Sequence, residues 1–133
     1  MEITLEWEGE HRFAAATGSG IAVMVDGDGE TGASPMESVL IALGGCMGID
    51  VVDILRKGRQ EVTGCEIRVR GERREEPPRR FTEIELTVAL TGRGLTRSRA
   101  ERAVELSRET YCSVVHSLAP DTGLSFEVEL REA

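Results

Sequence analysis

Basic residues are too few and too scattered in this sequence to serve a polyanion. The chain has 16 Lys and Arg against 24 Asp and Glu, a net charge of −8. The arginines alternate with glutamates and form no one-sided stripe, so a phosphate backbone is repelled and nucleic acid is not an expected partner. A targeting or spanning segment is also lacking. The start MEITLEWEGE has neither a basic n-region nor an apolar h-region, and the apolar run from Val39 meets Asp50 and Asp53 before it reaches bilayer width. No membrane association and a cytoplasmic location are the expectation. Cysteine is scarce and odd in number, 3 in all, which argues against a disulfide framework and leaves reactive or buried thiols. Aromatic residues make up only 4%.

What remains is the composition of a soluble globular protein, 40% hydrophobic and 30% charged. A chain of 133 residues suits one domain, 1–133, able to bury about two-thirds of its unfolded surface. Ile3, Leu5 and Trp7 alternate with Glu2, Thr4, Glu6 and Glu8 as a half-buried strand requires. Residues 11–16 and 21–25 flank Thr17-Gly18-Ser19-Gly20, a hairpin turn, so three antiparallel strands precede a glycine-rich loop over 26–33. Ser34-Pro35-Met36-Glu37 reads as a capped helix start, with Glu37 at the capping-box position. That helix should run to about Lys57. Its apolar residues span most of its circumference, and Gly44, Gly45 and Gly48 permit close approach by other elements, which places it at the centre of the molecule.

Two further strands are predicted around Cys65–Arg70 and Glu83–Leu90, joined by an exposed connection containing Pro77-Pro78. Ser98 to Glu101 reads as a second capping box opening an amphipathic helix, followed by a short helical segment over Cys112–Leu118 and a last strand over Leu124–Leu130. The order βββ-α-ββ-αα-β gives an α+β class.

The cysteines carry the chemistry to be decided. Cys65 shares a strand face with Ile67 and Val69 and is expected to be a small buried hydrophobe. Cys46 lies midway along the central helix and Cys112 at the start of a later one, where free N–H groups and the helix dipole would favour a thiolate. Pattern alone leaves both open as buried cysteines or as a redox pair. Asp50, one turn after Cys46, would oppose ionisation of Cys46 if the side chains met, so a cation must compensate there.

Ser34-Pro35-Met36-Glu37 leading into Leu43-Gly44-Gly45-Cys46, with Tyr111-Cys112-Ser113-Val114 later, resembles the OsmC/Ohr family, and Ile49-Asp50-Val51-Val52 with Ile54-Leu55 resembles one OsmC-like subgroup. The resemblance covers essentially the whole chain. It implies an OsmC-like fold with a central buried helix, built as an intertwined homodimer with active sites at the subunit interface. It also implies a thiol peroxidase acting on organic or fatty-acid hydroperoxides and reset by dithiol reductants, with no cofactor and no metal. On this carry-over Cys46 is the peroxidatic thiolate and Cys112 resolves its sulfenic acid. Arg12, the only arginine before the helix, would hold the thiolate and polarise the peroxide. The family's glutamate directly follows the helix-opening proline, where this chain has Met36; Glu37 is one position further and reads as a cap.

Other readings stay open. Cys46, Cys112 and His116 would supply three ligands of a zinc site, and Cys112 with His116 a Cys-His hydrolase pair. A module that binds a small hydrophobic ligand without turnover is the alternative the missing glutamate favours.

Overall fold

The computed structural model describes residues 1–133, which form two compact units, 1–39 and 40–133. In the first unit β1 (Ile3–Trp7), β2 (Arg12–Thr17) and β3 (Ala22–Asp26) pair antiparallel in the order β1-β2-β3. Gly20, at φ 89°, makes the β2–β3 turn, a backbone state that a side chain would strain. The register sets Trp7 opposite Phe13 and Phe13 opposite Val25, so Ile3, Leu5, Trp7, Phe13 and Val23 share one sheet face, and all five are exposed in the single chain. The loop after β3 is organised by Asp26. Its carboxylate, almost wholly buried, accepts the N–H groups of Asp28, Glu30 and Thr31 and the Thr31 hydroxyl at 2.9–3.2 Å.

Helix α1 (Pro35–Lys57) starts where the sequence places it, and the capping box is complete. The Glu37 N–H donates to Ser34 Oγ at 3.2 Å, and the Ser34 N–H donates to Glu37 Oε1 at 3.0 Å.

In the second unit β4 (Glu61–Arg73) and β5 (Phe81–Arg93) form a long antiparallel hairpin, each strand extending beyond its expected bounds. β6 (Gly123–Glu132) pairs parallel with β5, giving the order β4-β5-β6. The central strand supplies much of the core: Ile84, Leu86, Val88 and Leu90 are at most 1% exposed. Residues 40–57 of α1 pack on β4 through glycine. A Cβ at Gly44 would come within 3.0 Å of Val69, and one at Gly48 within 3.4 Å of Ile67. The helix loses about 1 kcal/mol at each of its three glycines relative to alanine, but burying Leu43, Met47, Val51 and Leu55 contributes about 2 kcal/mol apiece, so packing decides. These four recur every fourth residue on one face. The opposite stripe, Ile41, Gly45 and Ile49, is exposed in the single chain, so α1 is buried on one side and not all round.

Three expectations are corrected. The second helix, α2 (Arg97–Leu106), is capped by Thr96 and not by Ser98: Thr96 has the extended backbone a cap needs and its hydroxyl accepts the Arg99 N–H at 3.4 Å. The helical segment expected over Cys112–Leu118 is reduced to one short turn that follows Cys112. A single π-helical turn, Ser107–Tyr111, continues α2 and ends at Cys112, which is extended (φ −74°, ψ 101°), and a short 3₁₀ turn follows only at Val115–Ser117. Cys65 is exposed, not buried, although it alternates with Ile67 and Val69.

Candidate active site

The second unit brings Cys46 and Cys112 together. The two sulfurs and one carboxylate oxygen of Asp50 all lie within 4.8 Å of one another. Cys46 and Asp50 are one helical turn apart on α1 and therefore share a face. Cys112 enters from the end of the π-helical turn, an insertion that re-aims the residues after it. Its backbone is fixed by donation of its N–H to the Ser107 carbonyl at 2.7 Å.

The two thiols differ in exposure. Cys46 is half-buried, whereas Cys112 is fully buried. Burial pushes the Cys112 thiol up to about 11; the Val115 N–H, 3.4 Å from its sulfur, acts in the opposite direction, and the neighbouring Cys46 adds to the rise. The helix-start argument for an activated Cys112 is outweighed: the Val115 N–H does reach the sulfur from the short turn that follows, but the dominant influence is desolvation. The more accessible thiol is the mid-helix one.

Asp50 and Ser107 complete the cluster. The Ser107 hydroxyl, completely buried, donates to Asp50 Oδ2 at 2.8 Å. In the sequence Asp50 reads only as a possible repulsive neighbour of Cys46. The i, i+4 spacing of Cys46 and Asp50 was the available signal; nothing in the sequence pointed to Ser107.

Arg12 opens β2, half-buried in the 1–39 unit, where the one ion pair joins His11 to Asp28 and leaves Arg12 out. Glu37 is engaged in the cap, and its carboxyl is held below the usual range by the Ser34 N–H. His116 turns away from the sulfurs, its Nε2 being 3.1 Å from the Glu109 carbonyl, so the ligand set Cys46, Cys112 and His116 does not form. With Asp50 in place of His116 the cluster offers three donors, one short of a closed zinc site. The Cys-His hydrolase pairing fails for the same reason. An open groove of about 490 Å³ between α2 and β6, lined by Arg97, Glu101, Arg108 and Phe126 among others, includes neither cysteine.

Comparison with known proteins agrees with this architecture. The family model for OsmC-like proteins matches residues 27–128. Protein YhfA of Escherichia coli K12 is 44% identical over 134 residues, covering 100% of both chains. A crystal structure of a hypothetical protein from Aquifex aeolicus VF5 superposes with a TM-score of 0.90 at 36% identity, covering 99% of this chain and 96% of that one. The organic hydroperoxide resistance protein OhrB of Bacillus subtilis shares the fold at a TM-score of 0.62 and 17% identity, over 98% of this chain and 96% of its own.

Proposed function

The chain belongs to the OsmC-like family, and we propose that it is a thiol peroxidase that reduces organic hydroperoxides, with Cys46 as the attacking thiol and Cys112 as the resolving one. The observation that carries this reading is the sulfur pair: two free thiols from separate elements within 4.8 Å, one half-buried and one fully buried. A Cys46 thiolate attacks the O–O bond of the hydroperoxide. The S–O bond forms as the O–O bond breaks, the alkoxide leaves and takes up a proton from solvent, and Cys46 is left as a sulfenic acid. Cys112 then displaces the hydroxyl as water to give a disulfide, and a small dithiol returns both sulfurs to thiols. The buried second thiol is suited to resolution, because its partner is at hand and bulk peroxide is not.

Arg12 is assigned to hold the Cys46 thiolate and to polarise the peroxide, as the family resemblance implies. The working form is assigned as a homodimer in the cytoplasm, in keeping with the uncovered apolar stripe of Ile41 and Ile49. A ligand-binding module without turnover is the second reading, favoured by Met36 standing where the family's glutamate would be and by the commitment of Glu37 to the cap.

The test is addition of one equivalent of cumene hydroperoxide to the reduced protein, followed by mass spectrometry. Peroxidase action predicts loss of two hydrogens, a Cys46–Cys112 cross-linked peptide, and catalytic peroxide consumption once a dithiol is supplied. Thiols left intact, with peroxide unconsumed, favour the binding module.

A further inference from the structure

The cluster contains a group for which the two-thiol reaction has so far no use. Asp50 stands one turn from Cys46, within 4.8 Å of both sulfurs, and is held by a hydroxyl that is itself completely buried. The attack by Cys46 on the peroxide assigns this carboxylate no part. Ser107 ties that carboxylate to the other half of the site. Its hydroxyl donates to Asp50 Oδ2 at 2.8 Å, and its carbonyl accepts the Cys112 N–H at 2.7 Å. One residue at the opening of the π-helical turn thus fixes both the carboxylate and the backbone of the resolving cysteine. No salt bridge occupies Asp50, and the titratable groups in the cluster with it are Cys46 on its own helix and Cys112 on the facing segment.

We propose that Asp50 is the general base of the resolving step, taking the Cys112 thiol proton as the Cys46–Cys112 bond forms, and that Ser107 is its positioning residue. This rests on the peroxidase reading for its physiological setting. In the step, the Cys112 sulfur attacks the Cys46 sulfenic sulfur and the S–S bond forms as the S–O bond breaks. The thiol proton passes to Asp50 and from it to the departing hydroxide, which leaves as water. Asp50 ends as it began, and the hydroperoxide has already supplied the oxidising equivalent. A separation of up to 4.8 Å is within reach of transfer after a small side-chain rotation or through one water molecule. The need follows from Cys112 itself: burial pushes its thiol up, which leaves only a small fraction ionised at neutral pH. Without a base, resolution would wait on that fraction.

The experiment isolates the step from peroxide chemistry. Reduced Cys65→Ser protein is mixed with 5,5′-dithiobis(2-nitrobenzoate). Attack by Cys46 releases a first thionitrobenzoate, and attack by Cys112 on the mixed disulfide releases a second. In Asp50→Asn protein the second release is expected to slow about 100-fold and to rise nearly tenfold per pH unit as Cys112 must ionise unaided. The parent rate should be much flatter above the range where a carboxylate titrates. Asp50→Glu should recover part of the rate and the flatter profile. Ser107→Ala, which keeps the base but frees it, should slow the second release by about tenfold while keeping the flatter profile; it provides the reading if Asp50→Asn does not fold. A second release in folded Asp50→Asn protein with parental rate and parental pH dependence overturns the proposal, as does a parent in which Cys112 never displaces the second thionitrobenzoate. Because no hydroperoxide is used, inertness toward cumene hydroperoxide would remove the peroxidase reading while the second release still reports on Asp50.

Discussion

Cys46 and Cys112 face each other with their sulfurs within 4.8 Å, the first half-buried on α1 and the second fully buried. A disulfide needs about 2.05 Å between sulfurs, so a rotamer change with a small backbone shift closes the gap. The difference in burial separates the roles. Cys46→Ser protein should consume no hydroperoxide. Cys112→Ser protein should complete one turnover and leave a sulfenic acid on Cys46 that dimedone traps. Recovery of the dimedone adduct on Cys112 in Cys46→Ser protein, with Cys112→Ser protein inert, would reverse the assignment.

Arg12 bears on the first step only. If it holds the Cys46 thiolate and polarises the peroxide, Arg12→Ala should lower the rate of Cys46 oxidation by about tenfold to 100-fold. Arg12→Lys should restore less than half of the lost rate, because an ammonium keeps the charge but not the planar fork. Stopped-flow tryptophan fluorescence or quenched alkylation measures the step. An unchanged rate in Arg12→Ala protein removes Arg12 from the site.

Much of this was legible in the sequence wherever local chemistry sets the outcome. Ser34, Pro35 and Glu37 form a helix start by themselves, and the glycines at 44 and 48 admit Val69 and Ile67 as small residues should. The failures share a cause. Alternation puts Cys65 on the face of Ile67 and Val69, but alternation specifies a face and not what covers it, and Cys65 is exposed. The pattern after Ser107 reads as ordinary helix; that the chain widens into a π turn and leaves Cys112 extended is decided by tertiary packing. For the same reason the pairing of Asp50 with Ser107 is not legible in the sequence, since their hydrogen bond joins two helical elements far apart along the chain. The role of Arg12 rests on the family resemblance, and its place in β2 adds no ion-pair partner.

The loop after β3 should impose an acid limit on the N-terminal unit. Hydrogen bonds from the Thr31 and Asp28 N–H groups and the Thr31 hydroxyl hold the Asp26 carboxyl down to about 2, against an ordinary 3.8. A folded-state value below the unfolded one means that the contribution is complete above about pH 4 and is lost as pH falls through about 2. Asp26→Asn, which replaces one acceptor oxygen by a donor, should lower Tm by several degrees at pH 7, with the gap from the parent closing between pH 4 and pH 2. Thermal melts at stepped pH check it. A gap that stays constant down to pH 2 would show that the charge of Asp26 contributes nothing.

Apolar surface left open by the single chain bears on assembly. Ile41 and Ile49 on α1 are 64% and 66% exposed, with Gly45 between them, and on the β1-β2-β3 sheet Trp7 is 66% exposed beside Leu5 and Phe13. A monomeric protein rarely leaves large apolar side chains grouped in this way, and a glycine between two isoleucines allows a second helix to approach closely. A homodimer covering the α1 stripe is expected, with a light-scattering mass near twice 14.5 kDa at micromolar concentration. Ile49→Glu places a charge in that contact without touching the buried face of Leu43, Met47 and Val51, so it should yield a folded protein of about 14.5 kDa. Trp7, the single tryptophan, gives a second readout: if its sheet face is covered in the dimer, its emission should shift to longer wavelength in the Ile49→Glu protein. A parent that scatters as a monomer would leave both apolar faces open to solvent and remove the dimer from the proposal.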